Sequence, residues 1–338
     1  MKFKLNIQNF GKIEQATIQI NHLTVLAGQN NVGKSFVSKA LYSFFHAMTI
    51  ENNILLSPTI LENEFKQDFQ VSKLQQLKRV ASTESIRFEI ESIGKIEVLD
   101  ESITLGIEIS GLEILGKINR VVYIESPIYW KLKSALEMSL AWVHRVQANK
   151  SLSGVPNYFY NLVNLLKLQP LDEPQFKDIL EQIEQEIGGR LVLSNDGNFV
   201  FQTQNEGTHA LSITALGVAN LGMIAMLLEK NLIDEGTFLF IDEPEAHLHP
   251  AWQVILMKAL FELARKGVNV VITTHSIDML KCLEVLAKED DQAKDFIALN
   301  HLGTNGHSLN EEADFDEKLN LIKKDLLEPF YQLYLEAL

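Results

Sequence analysis

The sequence predicts an α/β fold: a parallel sheet flanked by helices, a mixed or antiparallel sheet at the N-terminal end, and a helical lobe inserted along the chain between them. Three observations predict it. Apolar, strand-like runs at 23–27, 120–124, 238–241 and 268–273 alternate with helical patterns that begin at Lys34, Ala251 and Ile277. Residues 2–9 and 14–20 alternate apolar and polar side chains around Phe10-Gly11-Lys12, as two antiparallel strands do. The first buried strand, Leu23 to Ala27, passes through a glycine-bearing octapeptide directly into a helix.

Each element follows from its own pattern. The helix from Lys34 carries Phe36, Val37, Ala40, Leu41, Phe44 and Phe45 on one side, and residues 50–80 read as polar and helical around Leu61, Phe65, Phe69, Leu74 and Leu77. Short alternating runs from Ile86 to Ile118, punctuated by Gly94, Gly106, Gly111 and Gly116, predict a small antiparallel sheet. A strand, Arg120 to Ile124, ends at Ser126-Pro127. Helices are expected from there to about Leu168 and again from Pro174 to Ile187, where Gly188-Gly189 stops the run. Leu191 to Leu193 and Phe199 to Phe201, joined through Asn195-Asp196-Gly197, form a predicted hairpin. Ala210 to Leu228 carries no charge, close to the ~20 residues needed to span a bilayer. Its Ser212, Thr214, Gly217, Asn220 and Gly222, and the lack of a basic flank, read it as a buried helix. Phe296 to Leu299 and Phe315 to Leu335 supply a last strand and a closing amphipathic helix.

Composition bounds the function. The 338 residues suggest about two domains at ~150 residues each. Their 46% hydrophobic and 22% charged content excludes a largely disordered chain. With 30 basic against 44 acidic residues, the net charge of −14 argues against a uniformly basic nucleic-acid coat. Cys282 is the single cysteine, so no internal disulfide forms and a reducing compartment is expected. The N-terminus reads as a strand and not as a signal peptide's apolar core, which gives a cytoplasmic expectation.

Gly28-Gln-Asn-Asn-Val-Gly33-Lys34-Ser35 matches G-x-x-x-x-G-K-[ST] between a strand and a helix, the setting of a phosphate-binding loop. Glycines let backbone N–H groups turn onto phosphate oxygens, with Lys34 on the β/γ-phosphates and Ser35 on Mg²⁺. Gly28, Asn30, Asn31, Gly33, Lys34, Ser35 and Phe36 are the expected nucleotide contacts. Phe238 to Ile241 is an apolar strand ending in Asp242-Glu243. Asp242 is expected beside Ser35 as the metal-side carboxylate and Glu243 one residue further as acceptor of a water proton. Thr273-Thr274-His275-Ser276 ends the next strand, where His275 is placed to hold the water and Glu243 in line. Lys34, Glu243 and His275 are thus the catalytic candidates, and Ser35 and Asp242 the metal ligands.

Asn9-Phe10-Gly11-Lys12-Ile13, the loop with Asn30-Asn31, Ile241-Asp-Glu-Pro-Glu-Ala-His-Leu-His-Pro250 and Thr274-His275-Ser276 together resemble the SMC/RecF/OLD branch of ABC-type ATPases. The resemblance implies a P-loop NTPase, an ABC-type head in which two copies sandwich two ATP molecules with Mg²⁺. It divides the chain into core segments at 1–50 and 206–300, an inserted lobe at 51–205 and a closing segment at 301–338. Stand-alone heads of this type occur in bacterial anti-phage or toxin-like systems, which implies a separate effector such as a nuclease or toxin. Only 63 residues follow His275, too few for the TOPRIM nuclease that OLD-like relatives carry.

Two departures stand out. The family's Leu-Ser-Gly-Gly-Gln signature falls at Ala210 to Gly217, where Ser212, then Thr214, are the candidates to meet a partner's γ-phosphate. A family glutamine is replaced after Ile124 by Glu125-Ser126. Slower hydrolysis is the expectation from either change, so a static ATP-bound scaffold stays open beside a RecF-like DNA-repair ATPase. For the latter, residues 117–150 hold six Lys/Arg against two Glu, which fits either phosphate-backbone contact or a solvated helix face. Glu245, His247 and His249 suggest either a metal cluster or a dimer-facing loop.

Overall fold

A computed structural model describes residues 1–50, 57–80, 82–125, 154–170, 172–195, 197–204 and 207–336. Most of the basic segment proposed for DNA contact, 126–150, lies outside the described residues, as do the helices expected there and Ser126.

The chain opens with β1 (Phe3–Phe10) and β2 (Ile13–Ile20), antiparallel with Phe3 opposite Ile20. Their alternation buries Phe3, Leu5 and Ile7 on one face. β3 (Leu23–Ala27) is buried throughout and leads into α1 (Lys34–Ile50). α2 (Pro58–Asp68) follows, its first turn set by Pro58, whose missing N–H costs nothing at that position.

The strands expected between 86 and 118 form, but not as a separate sheet. β4 (Ile86–Ile90), β5 (Gly94–Leu99) and β6 (Ser102–Ile107) extend the first hairpin into one antiparallel sheet of order β2-β1-β4-β5-β6. The free edge of β1 takes β4, with Leu5 opposite Ile90, satisfying a ladder that would otherwise lie open. The last part of that segment is a helix, α3 (Ile109–Leu115), packed so closely that a Cβ on Gly111 would lie 2.4 Å from the Ile93 carbonyl oxygen.

β7 (Arg120–Ile124) belongs to a second sheet with β11 (Thr237–Asp242), β12 (Asn269–Thr274), β13 (Ile297–Leu302) and β14 (Ser308–Leu309), in the order β14-β13-β3-β12-β11-β7. All neighbours are parallel except the β13–β14 pair. Its central strands are apolar and almost wholly buried, the mark of a sheet covered on both faces. α1 packs on it through aromatic rings, Phe45 stacking on Phe238 with centroids 4.5 Å apart. The expected inserted lobe thus contributes β4–β6 to one sheet and β7 to the other.

Between β7 and β11, α4 (Asn157–Leu166) and α5 (Lys177–Ile187) precede β8 (Gly189–Leu193), β9 (Phe199–Thr203) and β10 (Thr208–Ala210), a three-stranded sheet where a hairpin was expected. The uncharged stretch read as a helix from Ala210 ends a strand at Ala210, makes a 3₁₀ turn at Leu211–Ile213 and becomes helical only at α6 (Leu216–Glu229), buried along nearly its whole length. Among the described residues no helix is long and apolar enough to cross a membrane. α7 (Pro250–Arg265), α8 (Ile277–Glu289), the single turn α9 (Ala293–Phe296) and α10 (Phe315–Glu336) complete the chain.

Candidate functional site

The parallel topology brings the C-terminal ends of β3, β11 and β12 side by side, the place where open α/β sheets bind ligands. From β3 the chain enters the Gly28–Ser35 loop. Gly28 has φ of +149°, and a Cβ there would lie 2.2 Å from the Leu302 carbonyl oxygen, so no larger residue fits. Lys34 is 5% exposed, and its Nζ donates to the carbonyl oxygens of Gly28 at 2.9 Å and Gln29 at 2.8 Å. Burial lowers its pKa, against the raising influence of Glu243, Asp242 and Glu245. The first α1 hydrogen bond is Val37 N–H to Gly33 O, which leaves the earlier N–H groups of the helix without helical acceptors. A cradle of such donors around a buried ammonium fits a triphosphate.

Asn30 and Asn31 are exposed at the loop tip, Asn31 in the left-handed region at +63°. The Phe36 ring does not join them. It packs edge-on to Phe10 at 5.4 Å and against Phe69 at 5.5 Å, which limits any nucleotide contact to its main chain.

Asp242 ends β11. Its Oδ1 accepts from Ser35 Oγ at 2.9 Å and from Thr273 Oγ1, the residue in register with it on β12. Burial raises its pKa, the two hydroxyl donors opposing. Paired hard oxygens of Ser35 and Asp242 suit Mg²⁺. Glu243 follows with φ of +48°, its N–H donating to Thr273 Oγ1 at 3.0 Å. That unusual backbone turns the Glu243 carboxylate to within 3.3 Å of His275 Nδ1, both side chains 41% exposed. The sequence-predicted Lys34, Ser35, Asp242, Glu243 and His275 are therefore one cluster. Thr273 was not among the predicted site residues, and its only sequence signal is a hydroxyl at the end of the strand that neighbours Asp242.

Neither signature candidate is hydrogen-bonded to this cluster. Ser212 is exposed in a 3₁₀ turn, Leu211–Ile213, that precedes α6, while Thr214 is buried and its hydroxyl donates to the Ala210 carbonyl at 3.0 Å. α6 itself begins after Ala215 without a side-chain cap. The expected hydroxyl at a helix start is thus absent, because Thr214 satisfies its own turn and Ser212 lies one turn early. Glu125, in place of the family glutamine, is held by Lys39 Nζ at 2.6 Å and Tyr158 Oη at 2.6 Å. Of the histidines in the next loop, His249 caps α7, accepting from Ala251 N at 3.3 Å. Among the described residues no group of three or more His, Cys, Asp or Glu side chains could hold a metal ion.

Burying a carboxylate as Asp242 is buried costs stability. Asp242→Asn is expected to raise the melting temperature of the nucleotide-free protein by about 2–4 °C, about 1 kcal/mol in a domain of this size, because the amide oxygen keeps both hydroxyl donors without a buried charge. The extra stabilisation by ATP with Mg²⁺ should be lost in the same scan. The sign with pH agrees: the folded carboxyl binds its proton more readily than the unfolded one. Its penalty is full above the raised folded pKa and vanishes as pH falls below the unfolded value.

Residues 105–280 match the family described as "AAA domain, putative AbiEii toxin, Type IV TA system", and residues 1–110 match one described as "AAA ATPase domain". The Old nuclease of Escherichia phage P2 is 25% identical over 171 residues, which cover 44% of this chain and 29% of the nuclease. The chain therefore spans less than a third of that relative's length. A crystal structure of an SMC head bound to the C-winged helix domain of ScpA has a TM-score of 0.51 at 14% identity, over 91% of this chain and 95% of that one. At such identity the likeness is one of fold. The first family match takes in just over half of the chain, so the chain belongs to that AAA-domain family, with the fold of an SMC head and a partial likeness in sequence to the Old nuclease.

Proposed function

We propose that the protein hydrolyses ATP, that ATP joins two copies into a dimer, and that this cycle controls a separate effector. The observation that carries the reading is the cluster at the strand ends: Lys34 on loop carbonyls, Ser35 on Asp242, and Glu243 3.3 Å from His275. Segments 1–50 and 206–300 supply this core. Lys34 exchanges the Gly28 and Gln29 carbonyls for the β/γ-phosphates, while loop N–H groups take the remaining oxygens. Ser35 and Asp242 hold Mg²⁺, which when bound offsets phosphate charge. Glu243 accepts the proton of the attacking water. His275, with Nδ1 toward Glu243, keeps that carboxylate in line and leaves Nε2 for the γ-phosphate.

Ser212, exposed and unengaged by the loop of its own chain, is the residue offered to a partner's nucleotide. The toxin in the family's description and the nuclease among the relatives support an effector of that class; the proposal sets it in anti-phage defence within the cytoplasm, with DNA as a further partner. A second reading, slow turnover in a mainly static ATP-bound assembly, draws support from the inward-turned Thr214 hydroxyl. Mass in solution and phosphate release, each with and without ATP and Mg²⁺, test both. The proposal expects the mass to double and phosphate to appear; a doubled mass without phosphate selects the static assembly, and no change in either overturns the ATPase reading.

A further inference from the structure

A buried carboxylate that the sequence offered only to a metal cluster or a dimer-facing loop lies between the Asp242-Glu243 strand end and the histidine. Glu245 is 7% exposed, and its Oε1 accepts from Thr274 Oγ1 at 2.7 Å and from the His275 main-chain N–H at 3.0 Å. The same oxygen lies 3.7 Å from His275 Nδ1. Thr274 Oγ1 in turn accepts from Ser276 N at 3.0 Å, at the start of α8. The loop that carries Glu245 is also tied to α6, where Asn220 Nδ2 donates to the Pro244 carbonyl at 3.3 Å. Glu245 Oε2 is buried with no hydrogen-bond partner. A carboxylate kept in so costly a place is retained for what its other oxygen holds.

We propose that Glu245 is a positioning residue for ATP hydrolysis: through Thr274 and the His275 main chain it sets the distance between His275 and Glu243. Its link to α6 gives the segment after the signature turn a mechanical route to that pair. Glu245 touches neither nucleotide nor water in this role, and the inference rests on the ATPase reading above. Misplacement of a catalytic group by about 1 Å can cost about 100-fold in rate, so the effect belongs in kcat and not in binding.

The test measures steady-state ATP hydrolysis with Mg²⁺, affinity for a fluorescent ATP analogue, and melting temperature for the wild type, Glu245→Ala, Glu245→Gln and Thr274→Val. Glu245→Ala is expected to lower kcat about 10-fold or more, with KM and analogue affinity within about 3-fold. Glu245→Gln retains an oxygen for both donors and should hold kcat within about 3-fold of wild type, and Thr274→Val should fall between the two. Wild-type kcat in Glu245→Ala overturns the inference, as does an equal loss in the alanine and glutamine variants. If Glu245→Ala does not fold, unchanged kcat in Thr274→Val overturns it instead. A wild type without turnover overturns the ATPase reading and this inference together, whereas an active wild type with insensitive variants overturns this inference alone.

Discussion

Glu243→Gln should cut ATP turnover by about 100-fold or more, since a positioned general base contributes roughly 10²–10⁴, and should leave ATP bound. The amide keeps the size and reach of the carboxylate but cannot take the proton of water. The binding elements are untouched, because Lys34, Ser35 and Asp242 make their contacts independently of the Glu243 side chain. The φ of +48° is set by the two hydrogen bonds from the Glu243 N–H to Thr273 and is as accessible to glutamine as to glutamate. With both Glu243 and His275 41% exposed, loss of their side-chain contact should hardly alter the melting temperature. Phosphate release against time, together with nucleotide retained after gel filtration, measures both halves of the expectation. Turnover at the wild-type rate would remove Glu243 from the mechanism, and loss of ATP would show that it binds rather than reacts.

Lys34→Ala should weaken ATP binding by about 100-fold or more, because truncating one partner of a buried, charge-assisted contact costs about 2–5 kcal/mol. The ammonium is the buried cation at the loop, and Asp242, Glu243 and Glu245 all act on it. Without it those carboxylates face an incoming triphosphate uncompensated. Two carbonyl oxygens, of Gly28 and Gln29, also lose their donor, so a modest fall in stability should accompany the loss. Titration with a fluorescent ATP analogue reads the first effect and a thermal melt the second. Near-wild-type affinity in a folded Lys34→Ala protein would mean that the nucleotide does not lie in this loop.

Much of this site was legible in the residues because its chemistry is local. Gly28, Gly33, Lys34 and Ser35 are neighbours in the chain, and the loop conformation that needs them is set within eight residues. Asp242 and Glu243 announced themselves as acids ending an apolar strand, and His275 by its spacing after them. For Phe36 the local pattern left the ring's place open: adjacency to Lys34 says nothing of it, and the antiparallel sheet draws it into contact with Phe10. Thr214 showed the converse, since a hydroxyl near a helix start can bond to its own turn, as it does with Ala210.

Periodicity alone was enough for the strand and helix types along most of the chain, because burial of one face imposes a repeat that any short window reveals. Which strands pair is a different matter. Nothing in Ile86–Ile90 says that it will lie against β1 and not stay within its own meander, nor that Thr273 will stand in register with Asp242, some 30 residues away. Glu245 is the sharpest instance. In the chain it is one acid among several in a polar turn, and it becomes a buried acceptor for Thr274 and His275 only when β11 and β12 are laid side by side. Contacts between distant segments depend on the three-dimensional register of the sheet, and side-chain identity at one position carries no record of its partner's.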